Sequence, residues 1–190
     1  MFEFNLNEHD ISYVHFIGIG GISMSGIASL LLNKGYKVSG SDRSLSDITK
    51  SLKENGAEIF IGQSSNNIKN PDLVIYTDAI LDDNEELIAA RKLNVPVVTR
   101  GVFLGALMRN YENSIAVSGS HGKSTATSMI SKILLNSKEE ATILLGGELD
   151  EMDGNVHVGD QKYLVTEACE YKGNIRYYFP QTLIVLNIDE

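Results

Sequence analysis

Ser114-Ile115-Ala116-Val117-Ser118-Gly119-Ser120-His121-Gly122-Lys123-Ser124-Thr125 joins an apolar run to a glycine-rich turn, and the turn to a helix-patterned segment that continues to about Asn136. In such a turn successive backbone N–H groups converge on a phosphate, and the N-terminus of the following helix adds partial positive charge. Lys123 has the reach for outer phosphates, and the Ser124 hydroxyl stands where such loops place Mg²⁺. Gly119, Ser120, His121, Gly122, Lys123, Ser124 and Thr125 are therefore the candidate nucleotide loop. The full G-x-x-x-x-G-K-S pattern needs a glycine where Val117 stands, so this is a shortened variant. A plain glycine turn with a solvated lysine is the alternative. His121 either bonds a phosphate or braces the turn.

The same alternation extends outward in both directions. Patterning predicts strands over 13–17, 37–41, 58–61, 73–76 and 97–99, with helices over 22–33, 46–55, 84–93 and 102–109 between them. Gly35 and Gly56 read as left-handed helix ends. A polar linker, 110–113, leads into the loop described above. Beyond it come strands over 142–145, 163–166 and 183–186, with a turn at Gly146-Gly147. Strands separated by helices imply right-handed crossovers and parallel sheets. The expected class is α/β: a Rossmann-like parallel-sheet domain over 1–110, then an incomplete P-loop-type α/β domain over 111–190. An incomplete second sheet would expose apolar strand edges such as 183–186, which favours self-association.

A second phosphate-type turn, Gly18-Ile19-Gly20-Gly21-Ile22-Ser23, follows the first strand. Ser23 stands where a dinucleotide fingerprint has its third glycine, and Asp42 closes the second strand where such folds hold a ribose-facing acid. Glu167 and Glu170, just past a strand, are either a Mg²⁺ carboxylate opposite Ser124 or solvent-facing charges. Cys169 reads as a small apolar filler and His15 as a satisfied core residue. His9 and His157 lack metal-ligand spacing. Asp82-Asp83-Asn84-Glu85-Glu86 reads as a solvated helix start, and Arg100 either meets an anion or flanks a helix. The 190 residues carry a net charge of -9 and one cysteine. That balance argues against a nucleic-acid coat or an anionic membrane surface, and the cysteine count against an internal disulfide. No apolar run or basic leader marks a membrane or export segment, so a cytoplasmic protein is expected.

Four motifs in order resemble the Mur ligases of peptidoglycan synthesis. They are His15-Phe16-Ile17-Gly18-Ile19-Gly20-Gly21 continuing to Met24-Ser25-Gly26-Ile27-Ala28, then Val38-Ser39-Gly40-Ser41-Asp42, then Gly119 to Thr125, then Tyr163 to Tyr171. The resemblance covers essentially the whole chain and is nearest the alanine-adding branch. It implies ATP-dependent amide-bond formation through an acyl phosphate, with UDP-N-acetylmuramate and L-alanine as substrates and ATP with Mg²⁺ as cofactors. It also implies that the chain matches the family's first domain and the beginning of its ATPase domain, a fragment inactive alone. Lys123 and Glu170 become the catalytic pair and Ser124 and Glu170 the metal ligands. Gly18, Gly20 and Gly21 would offer backbone donors to the UDP pyrophosphate, with Asp42, Thr77, Ala79 and Arg100 around it. Ser23 replaces a usual glycine, Asp78 a usual serine, and Gly101 to Leu104 a stretch that usually holds a glutamate. A non-enzymatic UDP-sugar module or decayed paralogue is the alternative. An NAD-dependent oxidoreductase would rest on the first glycine turn alone.

Overall fold

The computed structural model describes residues 2–8, 10–137, 139–149, 152 and 154–188; His9 lies outside them. The chain divides into two compact units, one of residues 6–103 and one of residues 1–5 with 104–190.

The first unit is built on β1 (Tyr13–Ile17), β2 (Lys37–Asp42), β3 (Glu58–Ile61), β4 (Leu73–Tyr76) and β5 (Val97–Thr99). These form one parallel sheet in the order β3-β2-β1-β4-β5. The order reverses beside β1, so the carboxyl end of β1 lies at the switch point where doubly wound sheets bind ligands. Helices α1 (Ile22–Asn33), α2 (Asp47–Glu54) and α3 (Glu85–Arg91) make the crossovers. Central β1 is buried along its whole length, as a parallel strand covered on both faces should be. Two helices end as the glycines require. After α1, Tyr36 N–H donates to Leu31 and Gly35 N–H to Leu32, with Gly35 at φ +87°. After α2, Ala57 and Gly56 repeat the pattern on Leu52 and Lys53, with Gly56 at φ +102°. A β-carbon is disfavoured at both positions. Ser46 and Thr49 close a reciprocal capping box at the start of α2.

Helix α4 (Arg100–Met108) begins directly after β5, and the division between the units falls inside it. The second unit holds β6 (Asn113–Ser118), α5 (Lys123–Leu135), β7 (Thr142–Leu149), β8 (Gly154–His157), β9 (Tyr163–Glu167) and β10 (Thr182–Val185). Their sheet runs β10-β6-β9-β7-β8, parallel except for the β7–β8 pair. The second sheet is therefore mixed, where the first is parallel throughout. The expected Gly146-Gly147 turn is corrected: both glycines lie within β7, which irregularly pairs with β8 between Leu144 and Leu149. Its core gathers Ala141, Ile143, Leu145, Leu149 and Val165 beneath α5 side chains Ile130, Leu134 and Leu135. No helix among the described residues is long and apolar enough to cross a membrane.

Candidate functional site

In the second unit β6 delivers the chain into the loop and α5 carries it away. Gly119 takes φ +149° and Gly122 φ +82°, conformations L side chains resist, and Gly122 caps α5 in the left-handed region. A β-carbon on Gly119 would come within 3.1 Å of Leu186 Cβ. Its N-cap, Gly122, makes no side-chain cap bond, so the first-turn amides of α5 face the loop mouth with the dipole's positive end. Ser120, His121, Gly122, Ser124 and Thr125 are exposed there.

Lys123 is folded over this turn. Its Nζ donates to the Gly119 carbonyl at 2.5 Å and pairs with the Glu170 carboxylate at 3.2 Å. Glu170 follows β9, which pairs with β6, and the register sets Glu167 beside Val117 immediately before the loop. The Glu170 carboxyl is held below the ordinary carboxylate range chiefly by its own backbone N–H; burial opposes this, and Lys123 adds smaller lowering contributions. Glu167 turns to β7, where its Oε1 accepts from Gly146 N–H at 3.0 Å. The His121 backbone is clasped by the Asn187 side chain: its N–H donates to Oδ1 at 2.9 Å, and its carbonyl accepts from Nδ2 at 3.0 Å. Asn187 is a loop-bracing residue that carries no sequence signal by itself.

In the first unit the glycine turn leaves β1 at the switch point. Gly18 takes φ +85°, and a β-carbon there would lie 2.5 Å from Thr77 Cγ2. The turn's amides all have acceptors within the chain. Gly18 and Ile19 donate to the Ser41 carbonyl at 2.9 Å each, Gly20 to Asp42 Oδ2 at 2.8 Å, and Gly21 to the Gly18 carbonyl at 3.4 Å. Asp42 Oδ1 also accepts from Arg43 N–H at 2.8 Å. The amides of Gly18, Ile19 and Gly20 are thus held by the end of β2, and that of Gly21 by the turn itself. Positive potential at this place comes from elsewhere. Arg100, first residue of α4, donates from Nη1 to Ser23 Oγ at 3.2 Å and so stands beside the first turn of α1. Ser23, in place of a glycine, thereby positions a guanidinium. Thr77 N–H donates to the Ile17 carbonyl, and the turn from Thr77 to Ile80 leaves Ala79 exposed.

Residues 13–112 match the family described as Mur ligase family, catalytic domain. The chain belongs to the Mur ligase family. It is similar to the UDP-N-acetylmuramate–L-alanine ligase of Alkaliphilus metalliredigens, 52% identical over 190 residues that make up all of this chain and 41% of that protein. The corresponding ligase of Clostridium novyi is 54% identical over 98% of this chain and 41% of that protein. Among solved structures, the UDP-N-acetylmuramate–alanine ligase of Thermotoga maritima superposes with a TM-score of 0.84 at 35% identity, covering 91% of this chain and 40% of that one. This Mur ligase chain thus spans about two-fifths of the relatives it matches. The family match ends before the Lys123 loop, whereas the alignment with the Alkaliphilus ligase runs through it.

Other residues fall where the sequence did not place them. Glu86, read as part of a solvated acidic helix start, is completely buried against His15, itself completely buried. His15 is the satisfied core residue expected. No group of three or more His, Cys, Asp or Glu among the described residues could hold a metal.

Proposed function

We propose that this chain contributes the UDP-sugar and ATP-contacting part of a UDP-N-acetylmuramate–L-alanine ligase. One observation carries the reading: Lys123 is poised over a two-glycine turn at the start of α5, with Glu170 beside it. That donor set fits a triphosphate, because the ammonium and the first-turn amides supply positive charge while Gly119 and Gly122 keep the cradle free of β-carbons. ATP, when bound, supplies the phosphoryl group that activates a carboxylate for amide formation. Lys123 would steady charge on the outer phosphates, an electrostatic role that dominates such transfers. Ser124 and Glu170 supply the oxygen ligands Mg²⁺ prefers, and Ser120, His121 and Thr125 line the same rim.

The UDP-sugar belongs to the first unit. There Gly18, Gly20 and Gly21 act by shape, giving close approach without β-carbons. Arg100 and the α1 N-terminus supply the positive charge, with Asp42, Thr77 and Ala79 around them. L-alanine is the amine substrate this reading requires. The proposed location is the cytoplasm; nucleic acid and membrane have no part in this reading.

Calorimetry tests the reading with two ligands. UDP-N-acetylmuramate and Mg-ATP are each expected to bind, Lys123→Met to abolish only the second, and Arg100→Ala to weaken only the first. Failure of both ligands to bind the unaltered chain would overturn it.

A further inference from the structure

The first unit buries a polar chain that the ligand reading leaves unused. Glu86, in the first turn of α3, is fully buried and divides its carboxylate between two partners. Its Oε1 meets His15 Nε2 at 2.8 Å, and its Oε2 accepts from Ser41 Oγ at 2.6 Å. His15 Nδ1 meets Ser39 Oγ at 2.7 Å, and Ser39 Oγ meets Tyr13 OH at 2.8 Å. Placing the imidazole proton on Nε2 gives a consistent order: Tyr13 donates to Ser39, Ser39 to His15, and His15 and Ser41 to Glu86. The strand register supports this line, since His15 pairs with Ser39 and Ile17 with Ser41 on adjacent β1 and β2.

Apolar side chains of similar volume would hold such a core at least as well, because burying charge carries a heavy desolvation cost. What the polar chain adds is a fixed address for the end of β2. Ser41 is pinned through its hydroxyl, and its carbonyl takes the amides of Gly18 and Ile19. The next residue, Asp42, takes the amide of Gly20. Three consecutive amides of the turn therefore hang from two residues, one of them tied to Glu86.

We infer that His15 and Glu86, acting through Ser41, are positioning residues that set the glycine turn for its ligand. The inference rests on the proposed UDP-sugar reading for the ligand's identity, but not for the mechanical link. It makes α3 a support for the turn, although nothing in α3 itself belongs to the turn.

The test uses the full chain with Glu86→Gln, which keeps shape and removes charge, and Ser41→Ala, which removes only the pin. Leu73→Ala, a buried change at the opposite end of the same sheet, is the control for lost stability. Amide exchange at Gly18, Ile19 and Gly20 is the ligand-free readout, and the Kd for UDP-N-acetylmuramate the functional one. Both test variants are expected to speed exchange at those three amides selectively and to weaken binding about tenfold, the worth of one hydrogen bond. Leu73→Ala should lower Tm without selective change at the turn. Unaltered exchange at the turn in folded Ser41→Ala would overturn the inference, as would weakening equal to that in Leu73→Ala. If the unaltered chain binds no UDP-sugar while both variants loosen the turn, the link stands and the ligand reading falls.

Discussion

Lys123 holds two contacts, the Gly119 carbonyl and the Glu170 carboxylate, which on the proposed reading lie where a phosphate would meet it. Glu170 titrates below the ordinary carboxylate range because its own backbone N–H and then Lys123 favour the ionised form. A carboxyl depressed in the folded state contributes stability above its unfolded value and loses it as pH falls through the folded one. The pair should therefore be intact at neutral pH and open only under acid, below where a free glutamate protonates. Its stabilising effect is small, since Glu170 is 56% exposed and screened by water. Carbon-13 NMR of the Glu170 carboxyl checks this. Lys123→Met should raise the midpoint toward the ordinary range without restoring it fully, because the backbone N–H remains. A midpoint that does not move would remove Lys123 from the account.

Among the elements, α4 packs closely on the segment Tyr171–Tyr177 at Gly105. A β-carbon on Gly105 would lie 1.9 Å from the Tyr177 carbonyl oxygen and 2.8 Å from its carbonyl carbon. Backbone cannot swing aside as a side chain can. Gly105→Ala should cost about 1–3 kcal/mol through overpacking, outweighing the ~1 kcal/mol that alanine gains in a helix interior. A lowered denaturant midpoint is expected, and one unchanged or raised would show that the Tyr171–Tyr177 turn adapts.

That contact had no signature in the sequence, whereas most elements did. Apolar runs such as Tyr13–Ile17 and Leu73–Tyr76, bounded by glycine, proline or aspartate, mark buried parallel strands directly. Gly35 and Gly56 mark helix ends because the left-handed conformation is local. Gly146 misleads because its reason is distant: it admits the Glu167 carboxylate, which a β-carbon would approach to 2.8 Å. Gly154-Asn155-Val156-His157 is too polar to announce an edge strand. Tyr171–Tyr177 has no helical period, and Lys172 adopts φ +50° inside it. Glu86 was hidden by its acidic neighbours, and only the chain's return beside His15 reveals its burial. For the same reason the loop residues were legible, and their supports Asn187, Ser41 and Glu86 were not.

At the scale of the whole molecule, one margin of the second sheet presents an apolar face. In the second sheet β10 is an outer strand, and among the described residues it pairs only with β6. Leu183 and Val185, two apart and hence on one face, are 48% and 51% exposed, and Leu186 just beyond is also exposed. An outer strand with an apolar face lacks the charges or proline that usually block edge pairing. The net charge of -9 opposes association at low ionic strength, and salt screens that repulsion. We propose that the chain self-associates through β10, more strongly as salt rises. Light scattering behind size exclusion should show mass increasing with protein concentration and with salt. Val185→Lys, which sets a charge on the exposed face without touching the buried core, should return the protein to monomer at both salt levels. A monomer at high concentration and high salt in the unaltered chain would dismiss the edge as an association site, and persistence of the larger species in Val185→Lys would place the contact elsewhere.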